Sequence, residues 1–176
     1  MTIAGSNAAK VDVRVESGLW KEPGKVRILL RGAIGQAAAA LSTRGVEVAI
    51  LLTDDSAIRL LNRQWRGIDA ATNVLSFPSG NPSGHGPFIG DIVLAQQTIA
   101  REANAEHKPF AHHLAHLGVH GFLHLLGYDH ENLEDAAVME RLERRILRRL
   151  AIPDPYRPVP AARRAPRAKL RRNPAH

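Results

Sequence analysis

The stretch from Phe110 to Leu126 restricts this chain more than any other. Leu114, Leu117, Val119, Phe122, Leu123, Leu125 and Leu126 make it apolar on most of its circumference, and a helix of that kind is buried in a domain of this size. Yet six of the nine histidines fall between residues 112 and 130, and a buried polar group without a partner costs about 1–3 kcal/mol. His120 and His124 are four residues apart, so they share one helix face with Cβ atoms about 5–6 Å apart. Gly127 has no Cβ and can take the left-handed conformation that ends a helix. The chain then reverses, and His130 can return to the same point in space. One metal ion satisfies all three imidazoles, and three nitrogen ligands with a fourth position open is the layout of a catalytic zinc.

The chain contains no cysteine, which excludes disulfides and thiolate metal sites and leaves histidine, carboxylate and water as ligands. At 176 residues and 44% apolar it can build one domain with its own core. The N-terminus, Met-Thr-Ile-Ala-Gly-Ser-Asn, lacks the pattern of a signal peptide. No apolar run reaches the roughly 18 residues a membrane helix needs, so a soluble, cytoplasmic protein is expected. The net charge of +7 is concentrated at the end. From Ala151 to His176 there are seven Lys/Arg against the single acid Asp154, leaving +1 for the first 150 residues. The expected organisation is a flexible N-terminus over 1–9, a domain over 10–152 and a basic Pro/Arg-rich disordered tail over 153–176. The tail reads either as a solvated extension or as an arm for polyanions.

Val11, Val13 and Val15 alternate with polar neighbours as in a half-buried strand. Val26, Leu30, Ile34, Ala37 and Leu41 predict a helix over 25–41, weakened by Gly32 and Gly35. Val46–Leu52 suits a buried strand. Asp54 or Asp55 can cap a helix that ends near Gly67. A third strand is expected over Thr72–Phe77, stopped by Pro78, and a fourth over Ile89–Leu94, with an irregular loop between them. A helix from Gln96 is expected to end at Pro109, which opens the histidine helix. The last helix starts near Asn132 with Asp135 as its capping partner, and buries Met139, Leu142, Ile146 and Leu150 under an arginine-covered outside. These elements predict an α+β fold: a small mixed four-stranded sheet packed with about five helices, one of them the buried histidine helix. His112 and His113 are placed near the surface of its start.

The spacing H-x-x-x-H-x-x-G-x-x-H is that of the metzincin metalloproteases, whose second residue is the glutamate that activates water. Here that residue is Gly121, so the ion's seat is kept and the protease's base is not. The run His116-Leu-Gly-Val-His120-Gly-Phe-Leu-His124-Leu-Leu-Gly-Tyr-Asp-His130 closely resembles the signature of the YbeY-type endoribonucleases, bacterial ribosomal RNA maturation factors. The blocks Trp65–Pro78 and Ile89-Gly-Asp91-Ile agree as well, and the resemblance covers residues 10–155.

That resemblance implies a single-strand-specific, zinc-dependent endoribonuclease that matures small-subunit ribosomal RNA near its 3′ end and serves ribosome quality control. Its partners would be ribosomal RNA and the small subunit. By motif matching, His120, His124 and His130 would hold one Zn²⁺ that activates water or polarises the scissile phosphate. Arg66 matches the arginine of the family's active-site cleft, and a guanidinium there would bind phosphate oxygens bidentately. His116, Asp91 and Asp129 are the candidates for a general base; the favoured reading of Asp91 and Asp129 is that they accept a hydrogen bond from a ligand imidazole, and His116, one turn before His120, reads equally as a histidine supporting a ligand or the substrate and as a structural one. Attack by the substrate's own 2′-hydroxyl needs no protein base. Two other readings stay open: a ribosome-assembly RNA-binding factor with a mainly structural zinc, and a metzincin-like metallohydrolase of another substrate class.

Overall fold

The computed structural model describes residues 8–80 and 86–157. Four strands, β1 (Lys10–Val15), β2 (Glu47–Thr53), β3 (Val74–Pro78) and β4 (Phe88–Ala95), form one sheet in the order β1-β2-β4-β3. The first three in that order run parallel, and β3 is antiparallel to β4. Five helices complete the described chain: α1 (Pro23–Ala40), α2 (Asp55–Arg66), α3 (Gln96–Ala105), α4 (Phe110–Leu125) and α5 (Leu133–Arg149). The expected α+β architecture with a mixed four-stranded sheet is therefore what the chain adopts.

Alternation along the strands divides the core in two. Val11, Val13, Val48, Ile50, Leu52, Ile92 and Leu94 face a large cluster with α1, α4 and α5, in which Leu30, Ile34, Leu114, Phe122, Leu123 and Ile146 are fully buried. On the other face Leu75, Val93 and Ala95 pack on Ile58 of α2. Asp54 caps α2, its carboxylate accepting from the Ala57 amide at 3.0 Å. Asp55 then ties the starts of α2 and α3 together, accepting from the Thr98 amide at 3.0 Å and the Thr98 hydroxyl at 2.7 Å.

The boundaries of β3 and those around Pro109 differ from expectation. β3 begins at Val74 because Asn73 is engaged by its side chain, which donates to Glu102 at 2.9 Å and accepts from the Val74 amide at 2.7 Å. Pro78 belongs to the strand as its last residue, which an edge strand tolerates. α3 ends at Ala105, before Pro109, and Pro109 precedes the first turn of α4 rather than lying within it.

Three chain segments reach the same end of the sheet, where β4 begins. β3 ends with Pro78 opposite Gly90. α4 crosses β3 and β4 at Gly121, where a Cβ would stand 2.9 Å from Ile92 Cγ2 and 3.1 Å from Ser76 Oγ. One turn later, at Gly90 (φ 144°), an added Cβ would meet Leu125 at 2.8 Å. α2 starts at the opposite end and finishes with Trp65 against Phe77, ring centroids 6.1 Å apart. The last turns of α2 and α4 thus flank edge strand β3 from opposite faces. The expected N-terminal segment 1–9 lies outside the described residues through residue 7, and the expected tail from residue 158 onward. Residues 153–157 pack on the domain, Lys108 Nζ donating to the Pro155 carbonyl at 2.7 Å.

Candidate metal centre

The last turn of α4 and the turn that follows it place three imidazoles together. His120 and His124 lie one turn apart on the helix. Gly127 takes φ 90°, and the backbone folds back with the Tyr128 amide donating to the Leu123 carbonyl at 3.1 Å. This is the left-handed reversal expected there, and it delivers His130 to the other two rings, at centroid separations of 5.6 Å from His120 and 5.0 Å from His124. One nitrogen from each histidine lies within 4.8 Å of the others, and His120 Nε2 is 3.1 Å from His124 Nε2. A tetrahedral ion bonded to nitrogen at about 2.0–2.1 Å holds its ligands about 3.3 Å apart, so the three residues fit a metal ion. His120 and His124 are half-buried and His130 is exposed, which leaves the site open on one side. Burial first, then the neighbouring His120 and His130, push the His124 pKa down; the neutral ring this favours is the form that ligates.

Behind His120 stands a residue the sequence reading missed. Glu143 of α5 is fully buried, and its Oε1 lies 2.6 Å from His120 Nδ1. The Tyr156 hydroxyl donates to Oε2. His116 Nε2 is 3.5 Å from that oxygen, an ion-pairing distance without hydrogen-bond alignment. Burial alone would raise the Glu143 pKa, but its partners His116, His120 and Tyr156 outweigh it and hold the pKa at about 2. An ionised Glu143 takes the Nδ1 proton of His120 as a hydrogen bond and so turns the Nε2 lone pair toward the other histidines, the usual office of a carboxylate behind a ligating imidazole. The signal for it was present: 143 lies between Met139 and Ile146 on the apolar stripe of α5, where a charged residue requires a buried partner.

The other candidates are distributed differently. Asp129 Oδ1 accepts from the His130 amide at 2.7 Å, so it shapes the turn rather than contacting a ligand ring. Asp91 alternates with Ile92, which faces α4, and therefore points to the opposite face of the sheet with Phe77; partial burial raises its pKa. The position expected of these carboxylates is filled by Glu143. His116 is half-buried, its ring packed edge-to-face with His120 at 6.3 Å between centroids. His113 is buried instead of near the surface, because Glu102 lies 2.7 Å from its Nε2. Arg66 ends α2, exposed, with no carboxylate within ion-pairing distance among the described residues. Gly121, in the position of the metzincin glutamate, is pressed against the sheet and has no room for a side chain.

An α+β fold whose fourth helix and following turn bring three histidines together, one of them oriented by a buried carboxylate, defines a protein with an open histidine cluster that fits a metal ion. Its family follows from comparison: a model of the family described as "Endoribonuclease YbeY" matches residues 22–151, and the chain belongs to that family. Endoribonuclease YbeY of Nitrobacter hamburgensis is 51% identical over 155 residues, covering 84% of this chain and 82% of the relative. That of Bradyrhizobium diazoefficiens is 47% identical over 163 residues, covering 88% and 89%. The solution structure of TM1509 from Thermotoga maritima shares the fold, with a TM-score of 0.52 and 23% identity over 80% of this chain and 91% of that one. The family resemblance carried by the histidine motif is thereby borne out.

Proposed function

We propose that the chain is a single-strand-specific, zinc-dependent endoribonuclease that acts in the cytoplasm on ribosomal RNA, in 3′-end maturation of the small subunit and in ribosome quality control. The relatives' name supports the reaction class. The observation that carries the mechanism is the convergence of His120, His124 and His130 with Glu143 fixed behind His120. Zn²⁺ in that seat would supply Lewis-acid charge beside the phosphate and acidify water toward neutral pH. Glu143 holds the proton on His120 Nδ1 and keeps its Nε2 free. Arg66, without a competing carboxylate, binds phosphate oxygens bidentately and counters the charge that grows on them. Among the described carboxylates near the histidines, Glu143 is buried behind His120 and Asp129 is engaged with the backbone, which favours water or the 2′-hydroxyl as the attacking group without a dedicated protein base.

The test is cleavage of a single-stranded RNA by protein purified without a metal-affinity step, alongside elemental analysis. His120→Ala is expected to abolish cleavage while remaining folded, and Arg66→Ala to lower it while keeping its zinc. Full activity in either variant refutes the role given to that residue, and persistence in His120→Ala would favour a structural ion in an assembly factor. Product ends assign the nucleophile: a 2′,3′-cyclic phosphate indicates the 2′-hydroxyl, a 5′-phosphate indicates water.

A further inference from the structure

Trp65 is 64% exposed at the end of α2, although its neighbour in the fold offers an apolar seat. Its ring packs edge-to-face with Phe77, at 6.1 Å and 64°, and that exposure leaves most of the indole open to solvent. Leaving so large an apolar surface in water is unfavourable, and Ile68, three residues on, is 53% exposed as well. The chemistry around it is cationic. Arg63 and Arg66 occupy the same last turn of α2, and neither has a carboxylate within ion-pairing distance among the described residues, whereas Arg59 is committed to Asp69 at 2.8 Å. An open aromatic face beside uncommitted guanidinium groups is what single-stranded nucleic acid stacks on, because every base has a π-face and every linkage a phosphate.

Placement supplies the second argument. Among the described residues β3 pairs only with β4, so it is the sheet's edge. Phe77 of β3 carries Trp65 on one face, while Leu125 of α4, next to His124, lies against Gly90 on the other. A strand of RNA crossing this edge at Phe77 passes from the Trp65 side to the face that carries the last turn of α4 and its histidines. Asp91, paired with Phe77, faces the Trp65 side. A carboxylate there repels phosphate but accepts hydrogen bonds from base amino groups, so that side suits the base.

We propose that Trp65 is a base-stacking subsite: a nucleotide flanking the cleaved linkage lays its base on the open indole face while Arg66 holds the adjoining phosphate. This rests on the endoribonuclease reading and names how that site would choose unpaired RNA, since a base held in a duplex cannot lie on the ring.

Intrinsic fluorescence reports on it directly. The chain has two tryptophans, and Trp20 is 4% exposed with its Nε1 donating to the Thr53 carbonyl at 2.8 Å, so quenching by RNA reads Trp65. Using the full chain and a 12-nucleotide single-stranded RNA, quenching is expected to saturate with the binding curve obtained from fluorescence anisotropy of the labelled strand. Trp65→Ala should weaken binding about 5- to 100-fold, the span of single stacking contacts, with the loss falling on KM. Trp65→Phe keeps a ring and should recover most of the affinity, and both variants should melt as the native protein does. Duplex RNA should leave the signal unchanged. Cleavage by the native protein without quenching and without a Trp65→Ala defect overturns the stacking site and leaves the endoribonuclease reading intact. Equal quenching by duplex, or a Trp65 signal that follows protein concentration instead of RNA, also overturns it, the latter in favour of a protein contact. Absence of both binding and cleavage refutes the endoribonuclease reading itself, and the subsite with it.

Discussion

At position 143 a carboxylate is fully enclosed on a helix face that is otherwise apolar, and the partners assembled around it explain why it is tolerated. His120 and Tyr156 bond its two oxygens, so Glu143→Gln, which keeps the shape and removes the charge, should weaken zinc binding by about 10- to 100-fold, the usual cost of altering such a partner, measured by chelator competition. The pH dependence follows from its depressed pKa, about 2 against an ordinary 4.5. A carboxyl held below its unfolded value contributes stability that is complete above pH 4.5 and is lost as pH falls toward 2. Urea unfolding of the metal-free protein at pH 7, 4 and 3 should show that decline, and Glu143→Gln should flatten it. At this scale the clustering of the three histidines was legible because helical spacing alone brings 120 and 124 together and a glycine turns the chain back to 130. For Glu143 the apolar stripe of α5 signalled only a buried carboxylate in need of a partner; which partner was not legible, because it comes from α4, 23 residues away, and from Tyr156.

Helix α4 lies flush on β3 and β4 because Gly121 permits it: Ser76 Oγ donates to the Gly121 carbonyl at 3.2 Å, and Ile92 fills the space a side chain would need. Gly121→Ala is therefore expected to destabilise the fold by about 1–3 kcal/mol through overpacking, despite the higher helix propensity of alanine. Gly121→Glu, which restores the metzincin pattern, should fail to give a peptidase and cost more stability. Chemical denaturation and a peptidase assay check both; an Ala variant more stable than the native chain would refute the close-packing account. The elements themselves were readable from periodicity, and the caps at Asp54 and Asn132 formed as their sequence context demands. What periodicity could not supply was which face of β4 the histidine helix covers: Ile92 turns toward α4, so Asp91 falls on the opposite face, away from the histidines.

Over the whole molecule, charge is arranged more unevenly than composition suggests. The domain is nearly neutral, and the basic excess begins where the described chain leaves the body at Arg157. That exit lies beside the metal centre, because Tyr156 is bonded to Glu143 and its ring is 5.6 Å from His116. Residues 158–176 carry six Lys/Arg and no acid, so any contact they make with RNA is reached from a point already next to the site. If each cation displaces a counterion from single-stranded RNA, the slope of log affinity against log salt changes by about 0.7 per contact. A chain ending at residue 157 should then bind RNA with a slope shallower by up to about 4, weaken most at low salt, and converge with the full chain at high salt. Its melting temperature should be unchanged while Tyr156 is retained. An unaltered slope would make the tail a solvated extension; a shallower slope with unchanged melting would make it an arm that holds substrate near an independently folded catalytic body.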